Sequence, residues 1–241
     1  MTTALASYPL SQLQTDLQGL LGDFQGTRFS TYMLNDAINF AIKKMCGIMG
    51  YTYTEVSVPQ TQVALGIGDQ AGTTGSWVTF SLIGKYSTGT AYNYTDYIEI
   101  KRVLFGYGPM SPGITPPLSY AFRPMNRSHE PQEDINNPDW RNTNYPKFPQ
   151  RWDFYDGQRI AVFPLPVAQA GQNGYITVGY VQQPPLLTNL TDTVDPRIPY
   201  QVQPFLKYAA ASWLLSLDQS DTTSLQTAKM YLDMFNSLLA G

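Results

Sequence analysis

The period at which apolar residues recur changes twice along the chain, and this change constrains the fold more than any other feature of the sequence. Near both ends the apolar residues recur every three or four positions, which is typical of amphipathic helices. In the middle they alternate in short runs separated by glycine and proline, which is typical of β-strands. The pattern therefore predicts two helices, a long β-rich middle and two further helices.

The terminal helices are predicted to pack together. The N-terminal pair covers Ser11–Leu21 and a second helix that is capped by Ser30 or Thr31. The C-terminal pair follows a proline-containing segment and is divided by a short turn, so its helices should be antiparallel. Because each helix has one apolar face, we expect the two pairs to form a four-helix bundle, built from residues 1–50 and 196–241.

The middle of the chain, residues 51–195, is predicted to be an insertion between the two halves of the bundle. Its strands are too many and too short for a parallel α/β sheet, so an antiparallel β-sandwich or a barrel-like domain is expected. The fold class is then α+β. The strand candidates are Tyr51–Val58, Trp77–Ile83, Tyr97–Phe105, Arg159–Phe163 and Tyr175–Val181.

Residues 106–157 differ from the rest of the insertion because they are rich in proline, asparagine, tyrosine and arginine. Connections longer than about 12–15 residues without regular structure are uncommon and are usually functional or disordered. Since disordered segments are poor in aromatic residues, we expect an extended arm that packs on its own domain or on a neighbour. Candidate contacts with other subunits or partners, in this arm and in the last helix, are Tyr120, Phe122, Trp140, Tyr145, Phe148, Trp152, Phe235 and Leu239.

The chain offers few residues for nucleophilic catalysis. It has one histidine, His129, and one cysteine, Cys46, which lies in a predicted helix. This nearly excludes a Ser-His-Asp or Cys-His triad, and neither G-x-S-x-G nor H-E-x-x-H occurs. Free cysteines are usually buried, so Cys46 is interpreted as a small core residue. We therefore expect a protein that is not an enzyme.

Two groups of carboxylates could carry chemistry of other kinds. The acidic cluster within residues 130–139 could bind Ca²⁺, but it lacks EF-hand spacing, and a solvated loop is the favoured interpretation. Asp153 and Asp156 could act as a glycosidase pair. They stand before an Asp-Gly dipeptide and a strand, which favours a role in a β-turn. We expect no metal, no cofactor and no catalytic residue.

The charge of the chain argues against a dedicated nucleic-acid binder. The net charge is −3 and basic residues occur only in short pairs, whereas such a binder carries a basic stripe. Charged residues make up 14% of the chain, against roughly 25% in an ordinary soluble protein. The 17 tyrosines are compatible with extensive interfaces or with sheet faces, and composition does not separate the two. No secretory signal or membrane-spanning segment is recognised, so we expect assembly in a bacterial cytoplasm.

Three groups of motifs occur in a characteristic order. The first is a helix with a leucine-asparagine-acidic-alanine core. The second is a tryptophan-tyrosine stretch, a strand that ends in Pro-x-Pro, and another strand. The third is an Ile-Pro step followed by two helices with an acidic turn between them. Here they read Tyr32–Ala41; Arg151–Tyr155, Arg159–Pro166 and Gly174–Tyr180; and Ile198–Pro199, Lys207–Trp213, Asp218 and Ala228–Phe235.

In these motifs the chain resembles the head-to-tail adaptor proteins of tailed bacteriophages, also called connector or neck proteins. The resemblance implies a structural virion protein whose copies, commonly twelve, form a ring between the portal and a tail or nozzle protein. DNA would pass through the lumen without specific binding. The resemblance covers both ends of the chain, whereas residues 106–150 match no motif of the family. We further expect the helices to face the portal and the free protein to be a monomer.

Other functions remain open at this point. The chain could be another neck or tail component, such as a stopper or a tail-tube protein. It could also be a carbohydrate-binding β module of a tail fibre, with Trp140, Trp152 and Tyr155 as a sugar platform. A cell-wall hydrolase would depend on Asp153, Asp156 or Glu130.

Overall fold

The fold is α+β, as the sequence pattern predicts, and it divides into two compact units. The first unit comprises Met1–Tyr53 and Val181–Gly241, and the second comprises Thr54–Tyr180. A computed structural model describes residues 7–59, 78–85, 91–109, 123–127, 149–156, 158–163, 172–217 and 221–240.

The first unit is built from helices. One of them, α3, packs against each of the other three, and α1 also packs against α2. A short 3₁₀ turn, Gln203–Phe205, leads directly into α3. The helices are α1 Leu10–Leu21, α2 Thr31–Met49, α3 Leu206–Ser216 and α4 Thr222–Ala240.

Short-range signals in the sequence determine where these helices begin and end. The Ser30 hydroxyl accepts a hydrogen bond from the Met33 amide at 3.3 Å, which confirms a serine cap for α2. Gly22 and Gly50 end α1 and α2 in the left-handed conformation, each at φ 68°. Glycine adopts this conformation without a steric penalty, so both helices stop where the glycines stand.

The second unit contains a seven-stranded sheet and a separate two-stranded hairpin. The order in the large sheet is β1-β9-β5-β6-β7-β8-β2, and β3 pairs with β4. The strands are β1 Tyr53–Pro59, β2 Val78–Ser81, β3 Ile83–Lys85, β4 Ala91–Asn93, β5 Tyr97–Pro109, β6 Arg123–Arg127, β7 Arg151–Asp156, β8 Arg159–Phe163 and β9 Gln172–Gln182.

The large sheet is mixed, so the expectation of a wholly antiparallel domain is wrong. Strands β6 and β7 are parallel, with Asn126 opposite Arg151 and Arg127 opposite Trp152. A parallel pair needs a crossover of about a dozen residues or more, and the connection from residue 128 to residue 150 is long enough to supply it. The pairs β5–β6, β7–β8 and β2–β8 are antiparallel.

The large sheet curls around its own core. In the strand order β5 and β2 are four steps apart, which would be about 19 Å in a flat sheet at about 4.8 Å per step. The rings of Phe80 on β2 and Phe105 on β5 nevertheless lie 6.4 Å apart, edge to face. One face of the sheet therefore closes over a shared apolar core. Its buried members are Phe80, Leu82, Val103, Phe105, Met125, Trp152, Ile160, Val162, Ile176, Val178 and Tyr180.

The segment 106–157, expected to be an extended arm, contains the end of β5 and all of β6 and β7. The reason is visible in β6, where Met125 is the one residue that faces the core and its neighbours Pro124 and Asn126 give no clear strand alternation in the sequence. Arg123 and Arg127, which flank it on the same strand, are both exposed. The rest of the expected arm lies outside the described residues.

The second boundary between the units falls at Tyr180, whereas the sequence pattern places it at residue 195. Backbone hydrogen bonds explain the difference. The Leu10 amide donates to the Asp192 carbonyl at 2.8 Å, and the Val194 amide donates to the Tyr8 carbonyl at 3.1 Å. The segment that follows β9 is therefore held by the start of α1 and belongs to the helical unit.

Candidate assembly surfaces

Of the eight contact residues that the sequence predicts, two are buried, one is half-buried and five lie outside the described residues. Trp152 and Phe235 are buried in the cores of the β unit and the helical unit, with 4% and 0% of their surface exposed. Leu239 is half-buried on α4. The other five, which lie outside the described residues, are Tyr120, Phe122, Trp140, Tyr145 and Phe148.

Trp152 is covered by a cation and by a second ring. The Arg127 guanidinium lies 5.5 Å from the Trp152 ring centroid and 5.3 Å from that of Phe154. Tyr97 in turn stacks on Phe154, with 5.5 Å between the two ring centroids. A sugar platform needs an exposed aromatic face, and Trp152 does not offer one. Trp152 instead packs in the core of the sheet, with the exposed Arg127 guanidinium over its ring.

The acidic pair of the sequence analysis is divided between a strand and a turn. Asp153 lies inside β7, where its carboxylate is 3.5 Å from the Arg127 guanidinium. Asp156 ends β7, and in the antiparallel β7–β8 pair its backbone lies opposite Arg159, the first residue of β8. Asp156 thus stands at the hairpin turn, as expected, while Asp153 forms an ion pair inside the sheet. Glu130 and the other acidic residues of 130–139, together with His129, lie outside the described residues.

Cys46 is buried in the helical unit, which confirms its interpretation as a core residue. Burial raises the pKa of its thiol, and a hydrogen bond with Thr52 opposes that shift. A thiol with a raised pKa forms little thiolate at neutral pH, which is the opposite of what a nucleophilic cysteine needs.

The described residues contain no group of three or more histidine, cysteine or acidic side chains arranged to hold a metal ion. None of the helices in the described parts of the chain is both long enough and apolar enough to cross a membrane.

The last helix carries an apolar stripe that the described residues of the helical unit leave partly exposed. Met230, Met234 and Leu238 follow one another at intervals of four residues and are each exposed by more than a third. With Phe205 and Tyr208 they line an open groove of about 700 Å³. Methionine side chains adapt to irregular apolar partners, so this groove can accept an apolar or aromatic ridge.

The polar residues of the same groove lie on α4 itself. They include Lys229 and Asp233, which are one helical turn apart, and Gln226 and Ser237. The groove is therefore an apolar channel with one positive and one negative group beside it, a composition that resembles the core and rim of a protein interface.

The outer face of α2 forms a second surface. Tyr32, Asp36, Phe40 and Lys43 are all exposed and occur at spacings of four, four and three residues. Phe40 is held in place from below, because its ring stacks on Trp213 of α3 with 5.7 Å between centroids. Tyr32 has no such cover, and 74% of its surface is exposed.

The loop between α1 and α2 presents a third apolar group in a fixed conformation. The Asp23 carboxylate accepts hydrogen bonds from the amides of Phe29, Arg28 and Thr27 at 2.9 to 3.2 Å. These bonds, that of Phe29 foremost, hold the pKa of Asp23 below its usual range. The loop keeps the neighbouring Phe24 ring 78% exposed to solvent.

A clamp on α2 orders the segment that follows β9. The side-chain amide of Asn39 donates to the Leu187 carbonyl at 3.0 Å and accepts from the Leu187 amide at 2.9 Å. Leu187 itself is buried, whereas Leu186 and Leu190 are exposed by more than half. The clamp fixes these two leucines on the surface of the helical unit.

The sequence pattern places contacts on the last helix at Phe235 and Leu239, but it does not single out the exposed residues of α2, of α4 or of the α1–α2 loop. The sequence does contain a signal for the surface on α4, since its apolar residues form a face wider than one packing partner needs. The exposure of Phe24 follows from a loop that Asp23 shapes locally, because its carboxylate accepts hydrogen bonds from amides four to six residues further along the chain.

A family model described as the SU10 adaptor protein matches residues 8–241, which is nearly the whole chain. No curated protein matches the sequence. The match confirms the resemblance to head-to-tail adaptors, since that is the class to which this family belongs. The chain belongs to the SU10 adaptor protein family of phage head-to-tail adaptors.

Proposed function

We propose that this chain is a structural component of the virion neck, whose copies form a ring that joins the portal to the tail or nozzle protein. Twelve is the proposed copy number, because the portal rings to which such adaptors dock commonly have twelve subunits. DNA passes through the lumen, and the net charge of −3 with no basic stripe fits passage without specific binding.

The exposed apolar side chains of the helical unit support this proposal independently of family membership. The helical unit exposes apolar side chains on two different helices, Phe40 on α2 and Met230 and Met234 on α4. A ring requires a heterologous interface, in which each copy uses two different patches, one for each neighbour. A single patch would favour a closed dimer instead.

The internal arrangement of the ring is also part of the proposal. The helices, which we take to form a four-helix bundle, face the portal, and the β unit faces the tail or the outside of the neck. The aromatic residues of the expected arm contact neighbouring copies or the tail protein, as does the half-buried Leu239 on α4. We propose that the free chain is a monomer that completes its interfaces on the portal.

The experiment is a binding assay of the purified full chain with assembled portal, followed by cryo-electron microscopy of the complex. We expect the chain to bind portal and to form a single ring of twelve copies beneath it. Binding to tail protein without any binding to portal would overturn the proposal in favour of a stopper or tail-tube protein. Native mass spectrometry of the free chain tests the monomer, and stable rings without portal would contradict it.

A further inference from the structure

The helices α2 and α4 are separated by α3. Both helices pack against α3, and among the described residues no extensive contact joins α2 to α4. Phe40 of α2 stacks on Trp213, while Tyr231 of α4 lies beside Tyr208, with 6.1 Å between the ring centroids. A surface on α2 and a surface on α4 can therefore serve two different neighbours at the same time.

The exposed face of α2 carries opposite charges on either side of an aromatic ring. Along the helix it presents a carboxylate at Asp36, then the half-exposed ring of Phe40, then the ammonium of Lys43. The order from the N-terminal end is thus negative, apolar and positive. These residues share one side of the helix because they are separated by four and three positions.

The groove on α4 has the reverse order. It presents the ammonium of Lys229, then Met230, then the carboxylate of Asp233 and the side chain of Met234. From the N-terminal end the order is positive, apolar and negative. A helix of the α2 type laid parallel in this groove therefore meets an opposite charge at each end and apolar side chains between them.

The dimensions of the two helices also match. Each has 19 residues, which corresponds to about 28 Å at about 1.5 Å per residue. The charges on α2 are about 10.5 Å apart along the axis and those on α4 about 6 Å apart, on the same rise per residue. The flexible side chains of Lys43 on α2 and Lys229 on α4 are long enough to bridge this difference in spacing.

We propose that the outer face of α2 in one copy docks into the α4 groove of the next copy, in parallel orientation, and that this contact is the repeating interface of the ring. Asp36 pairs with Lys229 of the neighbour, Lys43 pairs with Asp233, and Phe40 packs against Met230 and Met234. The occupant of the groove is a second copy of this chain. The inference rests on the proposed function, because it names the contact by which the ring closes.

The first test exchanges the charges across the proposed contact. Asp36→Lys and Lys229→Asp are made separately and together in the full chain, and rings assembled on portal are counted by electron microscopy. Each single variant places like charges opposite each other, so we expect the yield of rings to fall about fivefold or more, and the double variant to recover within about twofold of the original chain. Glu99→Lys, the same charge change at an exposed site in the β unit, serves as the control and should leave the yield unchanged.

The second test does not depend on charge. Phe40→Cys and Met230→Cys are introduced into separate chains, which are mixed, assembled with portal and oxidised. We expect a covalent dimer from the mixture and none from either chain alone, since the native Cys46 is buried. One chain that carries both substitutions should give a ladder of covalent oligomers.

The outcomes separate the inference from the function on which it rests. Rings of the original chain that form normally while the mixture fails to cross-link, or while the double charge exchange fails to rescue the single variants, overturn the docking of α2 on α4 alone. Failure of the original chain to form any ring on portal overturns the proposed function, and the inference with it. Thermal unfolding of each variant shows that it is folded before assembly is scored.

Discussion

At the scale of single residues, one buried amide holds the start of the described chain in place. Gln203 has only 1% of its surface exposed and is fully hydrogen-bonded. Its side-chain oxygen accepts from the Tyr8 amide at 2.7 Å, and its side-chain nitrogen donates to the Ile198 carbonyl at 2.7 Å. Two segments that are almost 200 residues apart in sequence are thus joined through one side chain.

Gln203→Ala removes both of these bonds and leaves the Ile198 carbonyl without its donor. We expect the free energy of unfolding to fall by about 1–3 kcal/mol, because a buried polar group that loses its partner keeps its desolvation penalty. Chemical denaturation of the free chain measures the change. Gln201→Ala, at an exposed position two residues away, should alter stability by less than about 0.5 kcal/mol, and an equal loss in both variants would contradict the role of Gln203.

A second residue links stability to pH at the alkaline end. The Tyr8 hydroxyl donates to the Asp16 carboxylate at 2.9 Å. Burial, followed by this hydrogen bond, raises the pKa of Tyr8 to about 12. An unfolded tyrosine loses its proton near pH 10. The folded state therefore binds more protons between these values, and the stabilisation from Tyr8 is present below about pH 10 and lost as the pH rises towards about 12.

The measurement for Tyr8 is a spectroscopic titration of phenolate in the original chain and in Tyr8→Phe. The difference between the two curves isolates Tyr8, and we expect its midpoint close to pH 12. Tyr8→Phe should also show a shallower loss of stability over the same interval, since it has no phenol to ionise. A midpoint near pH 10 in the difference curve would show that neither the burial of Tyr8 nor its bond to Asp16 persists in solution.

At the scale of elements, α4 is attached to the helical unit by very few side chains. Only Ser224, Ala228 and Phe235 are buried among its 19 residues, and Phe235 is the largest of them. The Asp221 carboxylate accepts from the Thr223 amide at 2.9 Å at the start of the helix. Phe235 is therefore the main fully buried anchor of α4, and half-buried side chains such as Tyr231 and Leu239 add to its packing.

Phe235→Ala should destabilise the protein by about 3–5 kcal/mol, which is the usual cost of truncating a fully buried phenylalanine. The measurement is chemical unfolding of the free chain followed by circular dichroism. Met234→Ala is the matched control, because Met234 is the adjacent residue and is exposed. It should cost less than about 0.5 kcal/mol. A similar loss in both variants would mean that α4 is anchored elsewhere.

Elements with local signals are predicted well from sequence, and elements without them are not. The limits of α2 follow from Ser30 and Gly50, whose effects act within one turn of the helix. The sequence pattern places strand β6 in the extended arm, because Arg123–Arg127 has a single core residue, Met125, and no clear alternation. Its strand conformation comes from hydrogen bonds to β5 on one side and β7 on the other.

At the scale of the whole molecule, the chain leaves the helical unit and returns to it at neighbouring points. The Gln182 amide donates to the Thr52 carbonyl at 3.1 Å, and the Thr52 hydroxyl donates to the Gln182 carbonyl. The β unit, Thr54–Tyr180, is therefore an insertion whose removal leaves two chain ends that already lie together.

Replacement of residues 54–180 by a short Gly-Ser linker should leave a folded helical unit, because closing a short loop between adjacent ends has a small entropic cost. Far-ultraviolet circular dichroism should show a helical protein that unfolds cooperatively on heating. The same shortened chain with Phe235→Ala should unfold at a lower temperature, which shows that the native packing is retained. A shortened chain without a cooperative transition would mean that the helices depend on the β unit for folding.

The candidate assembly surfaces were the least predictable feature of the protein. Trp152 and Phe235 were selected as contacts because they are large and apolar, yet the structure buries both in the cores of their own units. Size and hydrophobicity do not tell a core residue from an interface residue, since both kinds are apolar. Leu239, which the structure leaves half-buried at the end of α4, stays a proposed contact.

The sequence alone determined the α+β class, the start of the α2 helix and the kinship with phage adaptors, because periodicity, caps and motifs are local and survive in a linear string. Only the tertiary structure decided that the sheet curls, that β6 runs parallel to β7, and that the apolar side chains of α2 and α4 are exposed on separate sides of α3. These features depend on contacts between residues far apart in the chain. The periodicity of apolar residues indicates which face of a helix or strand is apolar. It does not indicate whether that face is covered by the same chain or by another copy.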